Sequence, residues 1–178
     1  MNVVISDLSS RALYAKGQYS VPSDTACYPA KLMHGHIENL LDQGVDTIFY
    51  PCMSYNFDEQ KGDNHFNCPV VAYYPELLAS NVEKLKSVRY LYPYLNLSAQ
   101  KTFPKKIWEA LRDYYPDLTL KEVKQASENA YNRYHAQRME IKEKGKEALE
   151  FAREHGLKTI ILCGRPYHVD PEINHGIN

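Results

Sequence analysis

The sequence predicts an α/β protein: a small parallel sheet with helices around it, then a largely helical segment leading to the first strand of a second α/β unit. Two observations carry this. Apolar runs of strand length, Val3-Val4-Ile5, Ile48-Phe49-Tyr50, Val70-Val71-Ala72 and Thr159-Ile160-Ile161-Leu162, are separated by stretches in which apolar residues recur at helical spacing. Helix punctuation falls between those runs, with glycine at 17, 44 and 156 and a Thr119…Glu122 pair at the spacing of a capping box.

Taken in order, Asn2-Val3-Val4-Ile5 reads as a strand beginning almost at the first residue, as expected of a piece cut from a longer protein. Residues 8–16 read as a short helix ended by Gly17, and Tyr19-Ser20-Val21 as extended, because Pro22 disfavours helix in the residue before it. The main helix follows. Ser23 or Asp24 can cap it, Pro29 is tolerable only near its first turn, and Ala30, Met33, Ile37, Leu40 and Leu41 keep helical spacing until Gly44. Residues 46–50 form a strand, residues 56–67 a polar loop, and Val70-Val71-Ala72-Tyr73 a further strand, after which Pro75 opens a short helix through Leu78. Residues 88–95 are β-like or irregular, and Ile107, Trp108, Leu111 and Tyr115 mark a helix ending at Pro116. From Leu120 no breaker is needed until Gly156; unbroken, that helix is about 54 Å long at 1.5 Å per residue. It either bends near Gly145 or crosses from one α/β unit to the next. Residues 1–80 are thus expected to form an α/β unit, residues 81–156 a mainly helical connection, and residues 157–178 the start of a second α/β unit.

Lys and Arg total 21 against 22 Asp and Glu, so no net field favours nucleic acid or an anionic membrane. The longest apolar runs fall far short of the ~20 residues of a membrane span, and the N-terminus lacks a signal segment, so a cytoplasmic location is expected. Neither G-x-x-x-x-G-K-[ST] nor G-x-G-x-x-G occurs.

Four cysteines without a C-x-x-C pair suggest thiols or metal ligands rather than a disulfide framework. The default for each is a small core residue, and for Cys68 and Cys163 that reading is kept. Cys27 lies near the start of the main helix, where peptide dipoles favour the thiolate that binds metal or attacks electrophiles, and Cys52 directly follows a strand. In a parallel sheet both places lie at the carboxyl-end edge, where open α/β sheets bind ligands. His34 and His36, two apart on a helix, lie on different faces and read as solvated. A zinc-binding module built on Cys27, Cys52, Cys68 and a histidine is a third option, without the paired ligand spacing usual for structural zinc. Arg165, beside Gly164 at a strand end, can hold an anion or cap a helix.

The stretch Pro22-Ser23-Asp24-Thr25-Ala26-Cys27-Tyr28-Pro29-Ala30-Lys31, with His34-Gly35-His36, Tyr50-Pro51-Cys52, Asn67-Cys68-Pro69-Val70-Val71 and Gly164-Arg165-Pro166-Tyr167-His168-Val169-Asp170-Pro171-Glu172-Ile173-Asn174-His175-Gly176, resembles the large proteins related to activators of 2-hydroxyglutaryl-CoA dehydratase. The resemblance spans nearly the whole chain. It implies an internal piece of the region similar to 2-hydroxyacyl-CoA dehydratase and benzoyl-CoA reductase subunits, built from flavodoxin-like or Rossmann-like domains with a [4Fe-4S] cluster at their junction. By position Cys27 and Cys52 match the first two cluster ligands; a further ligand is expected beyond Asn178, with Cys163 its less favoured substitute and Cys68 less favoured too, and Arg165 and His168 are cofactor-binding candidates. The implied partner is an ATP-dependent activator module, in the same chain or separate, that delivers a low-potential electron toward an acyl-CoA thioester. Full-length protein is then expected to act as a dehydratase-like lyase, or else as a non-catalytic electron-relay or interaction domain. This piece alone is expected to be inactive and to lack an intact cluster.

Overall fold

Helix α1 (Arg11–Gly17) starts where Ser10, in extended conformation, accepts a hydrogen bond from the Leu13 N–H at 3.1 Å. It ends against helix α2 (Tyr28–Asp42) at a contact between two glycines. A Cβ built on Gly17 falls 2.2 Å from the Gly35 nitrogen, and one built on Gly35 falls 2.1 Å from the Leu13 carbonyl oxygen. The two backbones therefore touch where any side chain would hold them apart. Between the helices the chain makes a 3-10 turn (Gln18–Ser20), and only Val21 of the expected extended stretch is extended. Gly44, at φ +74°, closes α2 as its sequence position foretold.

The computed structural model describes residues 2–60 and 62–177. They fall into two units, residues 1–100 with 165–178, and residues 101–164, where the sequence reading set boundaries after 80 and 156. The fold is α/β. In the first unit β1 (Thr47–Phe49) pairs in parallel with β3 (Arg89–Leu91), and β2 (Cys52–Tyr55) with β4 (Tyr94–Asn96), with Ile48 opposite Tyr90 and Cys52 opposite Tyr94. Helix α3 (Pro69–Asn81) and a 3-10 turn (Glu83–Ser87) make the crossover between the two strand paths. Both paths are interrupted at a proline, Pro51 and Pro93, which cannot donate to the ladder. Flanking bonds from Tyr50 N to Leu91 O (2.9 Å) and Cys52 N to Pro93 O (3.0 Å) keep the pair together. Ala30 and Ile37 of α2, Ile48 of β1, Tyr74 and Leu78 of α3, Val82 and Leu85 form the core.

Two expected strands are not formed. Val3 and Ile5 are 80% and 81% exposed with no neighbouring strand, because the residues just after them spend their polar groups on α2 instead: the Asp7 N–H donates to Asn39 Oδ1 (3.0 Å) and Asn39 Nδ2 to Asp7 Oδ2 (2.7 Å). Val70, Val71, Ala72 and Tyr73 lie in α3, which Pro69 opens and within which Pro75 falls rather than at its start. Packing of Ala72, Tyr74 and Leu78 into the core outweighs the weak helix propensity of two valines. The expected three-stranded sheet is therefore replaced by the two parallel pairs.

The second unit holds α4 (Phe103–Leu111) and α5 (Leu120–Glu154). The Thr119–Glu122 capping box forms as read, and α5 runs unbroken past Gly145. Phe103 packs edge-on to Tyr131 at 5.5 Å, and the Trp108 indole N–H donates to the Leu118 carbonyl (3.0 Å). Lys158 to Leu162, expected as a strand, form none. Among the described residues no helix is long and apolar enough to cross a membrane.

The glycine contact makes a direct prediction. Gly35→Ala should lose about 2–3 kcal/mol or more in urea unfolding, since the new methyl meets backbone rather than a yielding side chain. Gly145→Ala, with open space around it, should gain roughly 0.5–1 kcal/mol. Equal midpoints for Gly35→Ala and wild type would remove the contact as a constraint.

Candidate functional site

Helices α2 and α3 begin alike. Cys27 caps α2 at φ −64°, ψ 154° and Cys68 caps α3 at φ −62°, ψ 156°; each is followed by proline within the first turn, and neither side chain makes a capping bond. Ser, Thr, Asp or Asn at such a position typically contributes about 1 kcal/mol, which these helices forgo. Both thiols are exposed, as is Cys163 in the second unit, so the core reading fails for all three. Ser23 and Asp24 do not cap α2, because helix begins later, at Tyr28. Cys52 is the buried thiol. It opens β2 inside the strand path, beside the backbone of Glu76 and the hydroxyl of Tyr94, and burial pushes its thiol up from the ordinary value.

Behind Cys27 stands a buried polar column. His34 is wholly enclosed, with Nδ1 2.8 Å from Ser20 Oγ and Nε2 2.9 Å from Tyr74 Oη. Ser20 already donates its hydroxyl proton to the Gly17 carbonyl (3.0 Å), so His34 must carry its proton on Nδ1 and accept at Nε2 from Tyr74. Burial lowers His34 to about 4, against a weaker opposing pull from Glu38. Tyr74 is pushed up to about 12, first by burial and then by the charge of Cys27. A solvated His34 is therefore corrected to a neutral core histidine.

His36, on the other side of Gly35, faces the N- and C-terminal segments. Its Nδ1 is 2.8 Å from Ser6 Oγ and its Nε2 3.1 Å from Ser9 Oγ. Ser9 gives its proton to the Asp170 carboxylate, so His36 donates from Nε2 to Ser9 and accepts from Ser6. That polarity leaves Ser9 without a base and excludes a nucleophilic triad from these three residues. Burial also lowers His36, opposed by Asp170.

The C-terminal motif meets the start of α2. Asp170 accepts from the N–H groups of Glu172 (3.0 Å) and Ile173 (3.1 Å), opening the one-turn helix α6 (Pro171–Asn174). Tyr28, next to Cys27, donates its hydroxyl to Glu172 Oε1 at 2.6 Å, lies stacked against His175 at 6.4 Å, and meets Tyr14 at 5.2 Å. Of the cofactor-binding candidates, His168 Nδ1 accepts from the Arg165 N–H (2.9 Å), a bond that starts the 3-10 turn Pro166–Val169. Two motifs distant in sequence are thus joined at Tyr28. Sequence reading did not single out Tyr28, Ser20, Tyr74 or Glu172; for Tyr74 the signal was hidden by the strand reading of its neighbours.

Among the described residues no three His, Cys, Asp or Glu side chains form a group able to hold a metal ion.

The histidine column predicts acid sensitivity. Below about 6.5 the unfolded chain takes up a proton on residue 34 that the folded chain refuses until about pH 4. Stability is therefore full above pH 6.5 and falls toward pH 4, by at most ~1.4 kcal/mol per pH unit from this group. His36 adds a loss of the same sign. Urea midpoints between pH 7 and 4 should fall less steeply in His34→Gln than in wild type, and parallel slopes would clear His34 of the effect.

A family model described as the CoA enzyme activase uncharacterised domain (DUF2229) matches residues 1–178. No curated protein and no solved structure matches the chain.

Proposed function

Because the chain belongs to the family of CoA enzyme activase domains, we propose that it is the acceptor side of an ATP-driven, low-potential electron-transfer system acting on an acyl-CoA, in the manner of 2-hydroxyacyl-CoA dehydratases. The observation that carries this reading is the exposed, uncapped thiol of Cys27, beside a tyrosine anchored by the C-terminal motif. A helix start that leaves its cap bond unmade keeps the cysteine free for another partner, and the dipole of a 15-residue helix favours an anion there. In this reading Cys27 is one thiolate donor to an iron-sulfur cluster whose remaining donors come from elsewhere than this constellation, and the activator module lies on the ATP-binding side. Cys52 serves only once uncovered. Tyr28, Glu172 and His175 hold the start of α2 in place.

Anaerobic reconstitution of the full-length protein tests the proposal. We expect bound iron and sulfide in wild type, their loss in Cys27→Ala, and unchanged circular dichroism in that variant. Full iron and sulfide in Cys27→Ala would refute the assignment, and zinc in place of iron would favour a zinc module. A change in the cluster's paramagnetic signal on adding an acyl-CoA thioester identifies the enzyme; an unchanged signal identifies a relay domain. Calorimetry of this chain with ATP should show no saturable binding.

A further inference from the structure

Residues 165–177 rejoin the first unit after the whole of the second, and they hold their own shape. Asn174 is buried and folds its side chain inside the turn: Nδ2 donates to the His168 carbonyl (3.0 Å) and Oδ1 accepts from the Ile177 N–H (2.7 Å), while its own N–H reaches the Asp170 carbonyl (2.8 Å). Among the described residues every backbone-to-backbone bond of this segment stays within it. No member of the apolar core comes from it, and Val169 and Ile177, which burial could have used as anchors, are 81% and 69% exposed. Its attachment is made by side chains at two points. Asp170 takes the Ser9 hydroxyl, itself held by His36, and Glu172 takes the Tyr28 hydroxyl, with His175 stacked on the same ring. A self-contained piece fastened by a few polar bonds opens locally at low free energy, without unfolding what it leaves.

The two fastenings are linked. Asp170 accepts from Ser9 with one carboxylate oxygen and from the Glu172 and Ile173 N–H groups with the other, so the bond at Ser9 fixes the backbone that aims Glu172 at Tyr28. Tyr28 is the first residue of α2, and the bond that opens this helix, from the Lys31 N–H, closes on the carbonyl of Cys27 (3.1 Å). Helix α3 supplies the contrast. There the Ala72 N–H closes on the Cys68 carbonyl (3.0 Å) in the same geometry, and among the described residues no hydrogen bond joins residues 165–177 to that helix start. We infer that residues 165–177 are a detachable strap that clamps the start of α2 as one body, so that Ser9 and Asp170 are positioning residues for the Cys27 thiol, acting on it only through Glu172 and Tyr28. Closed, the strap holds Cys27 in one place; open, it frees the first turn of α2 while the rest of the unit stands. What the thiol is held for rests on the role proposed above, but the clamp is tested without iron, so the two can fail separately.

Hydrogen exchange read by mass spectrometry on the full-length protein tests it, with the Lys31 amide as reporter of the clamp and the Ala72 amide as its control. Ser9→Ala, and separately Tyr28→Phe, should speed exchange at Lys31 on the order of tenfold. Both should leave Ala72, and the Tyr50 amide bonded across the strand pair, at wild-type rates. Because one body has two fastenings, Ser9→Ala should add almost nothing in a Tyr28→Phe background. Iodoacetamide labelling of the Ser9→Ala protein should shift toward Cys27 relative to Cys68. Unchanged Lys31 exchange or an unchanged labelling ratio in Ser9→Ala would overturn the inference. So would equal acceleration of Lys31 and Ala72, the mark of a general loss of stability, or effects of the two substitutions that multiply, the mark of independent contacts.

Discussion

Backbone contact between α1 and α2 at Gly17 and Gly35 is the constraint from which the first unit takes its arrangement. With no side chain at 35, α2 lies against Leu13 so closely that its flanking residues must diverge, and at 100° per residue positions 34 and 36 point about 200° apart. One is committed to the core, where it spans Ser20 and Tyr74 and thereby ties the turn after α1 to α3. The other is committed to the periphery, where it gathers Ser6, Ser9 and, through Ser9, Asp170. A three-residue motif, His34-Gly35-His36, thus fixes both how α2 packs and which terminal segments lie along it. Neither histidine is left free to act as a solvated base.

That arrangement sets the environment of the thiols. Fixing α2 from its middle leaves its first turn to be held by other means, and the C-terminal segment supplies them through Tyr28, Glu172 and His175. Cys27 itself takes part in none of the capping bonds. Cys52 shows the opposite economy. It is enclosed in the strand pair opposite Tyr94, whose hydroxyl donates to the Glu76 carboxylate, an interaction that drives the tyrosine up to about 12. Two cysteines that look equivalent by position in sequence are therefore inequivalent in chemistry: one is presented, the other is packed.

Local signals that are satisfied within a few residues were legible in the sequence. The Thr119–Glu122 capping box, the glycine stops at 44 and 156, Pro29 in a first turn and the strand at residues 47–49 all depend on bonds made nearby. What failed depended on partners far away. Valines at 70 and 71 have the composition of a strand, and only Tyr74 reaching His34 and Leu78 entering the core make that stretch a helix. Residues 3–5 were a strand in want of a neighbour, and α2 offered side chains rather than a ladder. The exposure of Cys27 and Cys68 was hidden for a related reason: propensity predicts that free cysteine is buried, and nothing local reveals an unmade cap.

The second unit is stabilised in a different way. Of the 35 residues of α5 only Val123 and Ser127 are buried, so packing accounts for little of its length. Its far half carries the side-chain pairs Glu143 with Lys146, Lys144 with Glu147 and Glu150 with Arg153, and Arg133 with Glu140 spans its middle. Each of the three pairs set three residues apart contributes roughly 0.3–0.5 kcal/mol. Together they sum to no more than about 1.5 kcal/mol, comparable to burying a single valine or leucine. Such a helix can persist with its apolar residues uncovered, and Met139, Ile141, Leu149 and Phe151 are all more than half exposed. Spaced two, eight and two residues apart, these four side chains lie on different sides of the helix rather than along one stripe, so α5 has no single apolar face that packing could use to hold it.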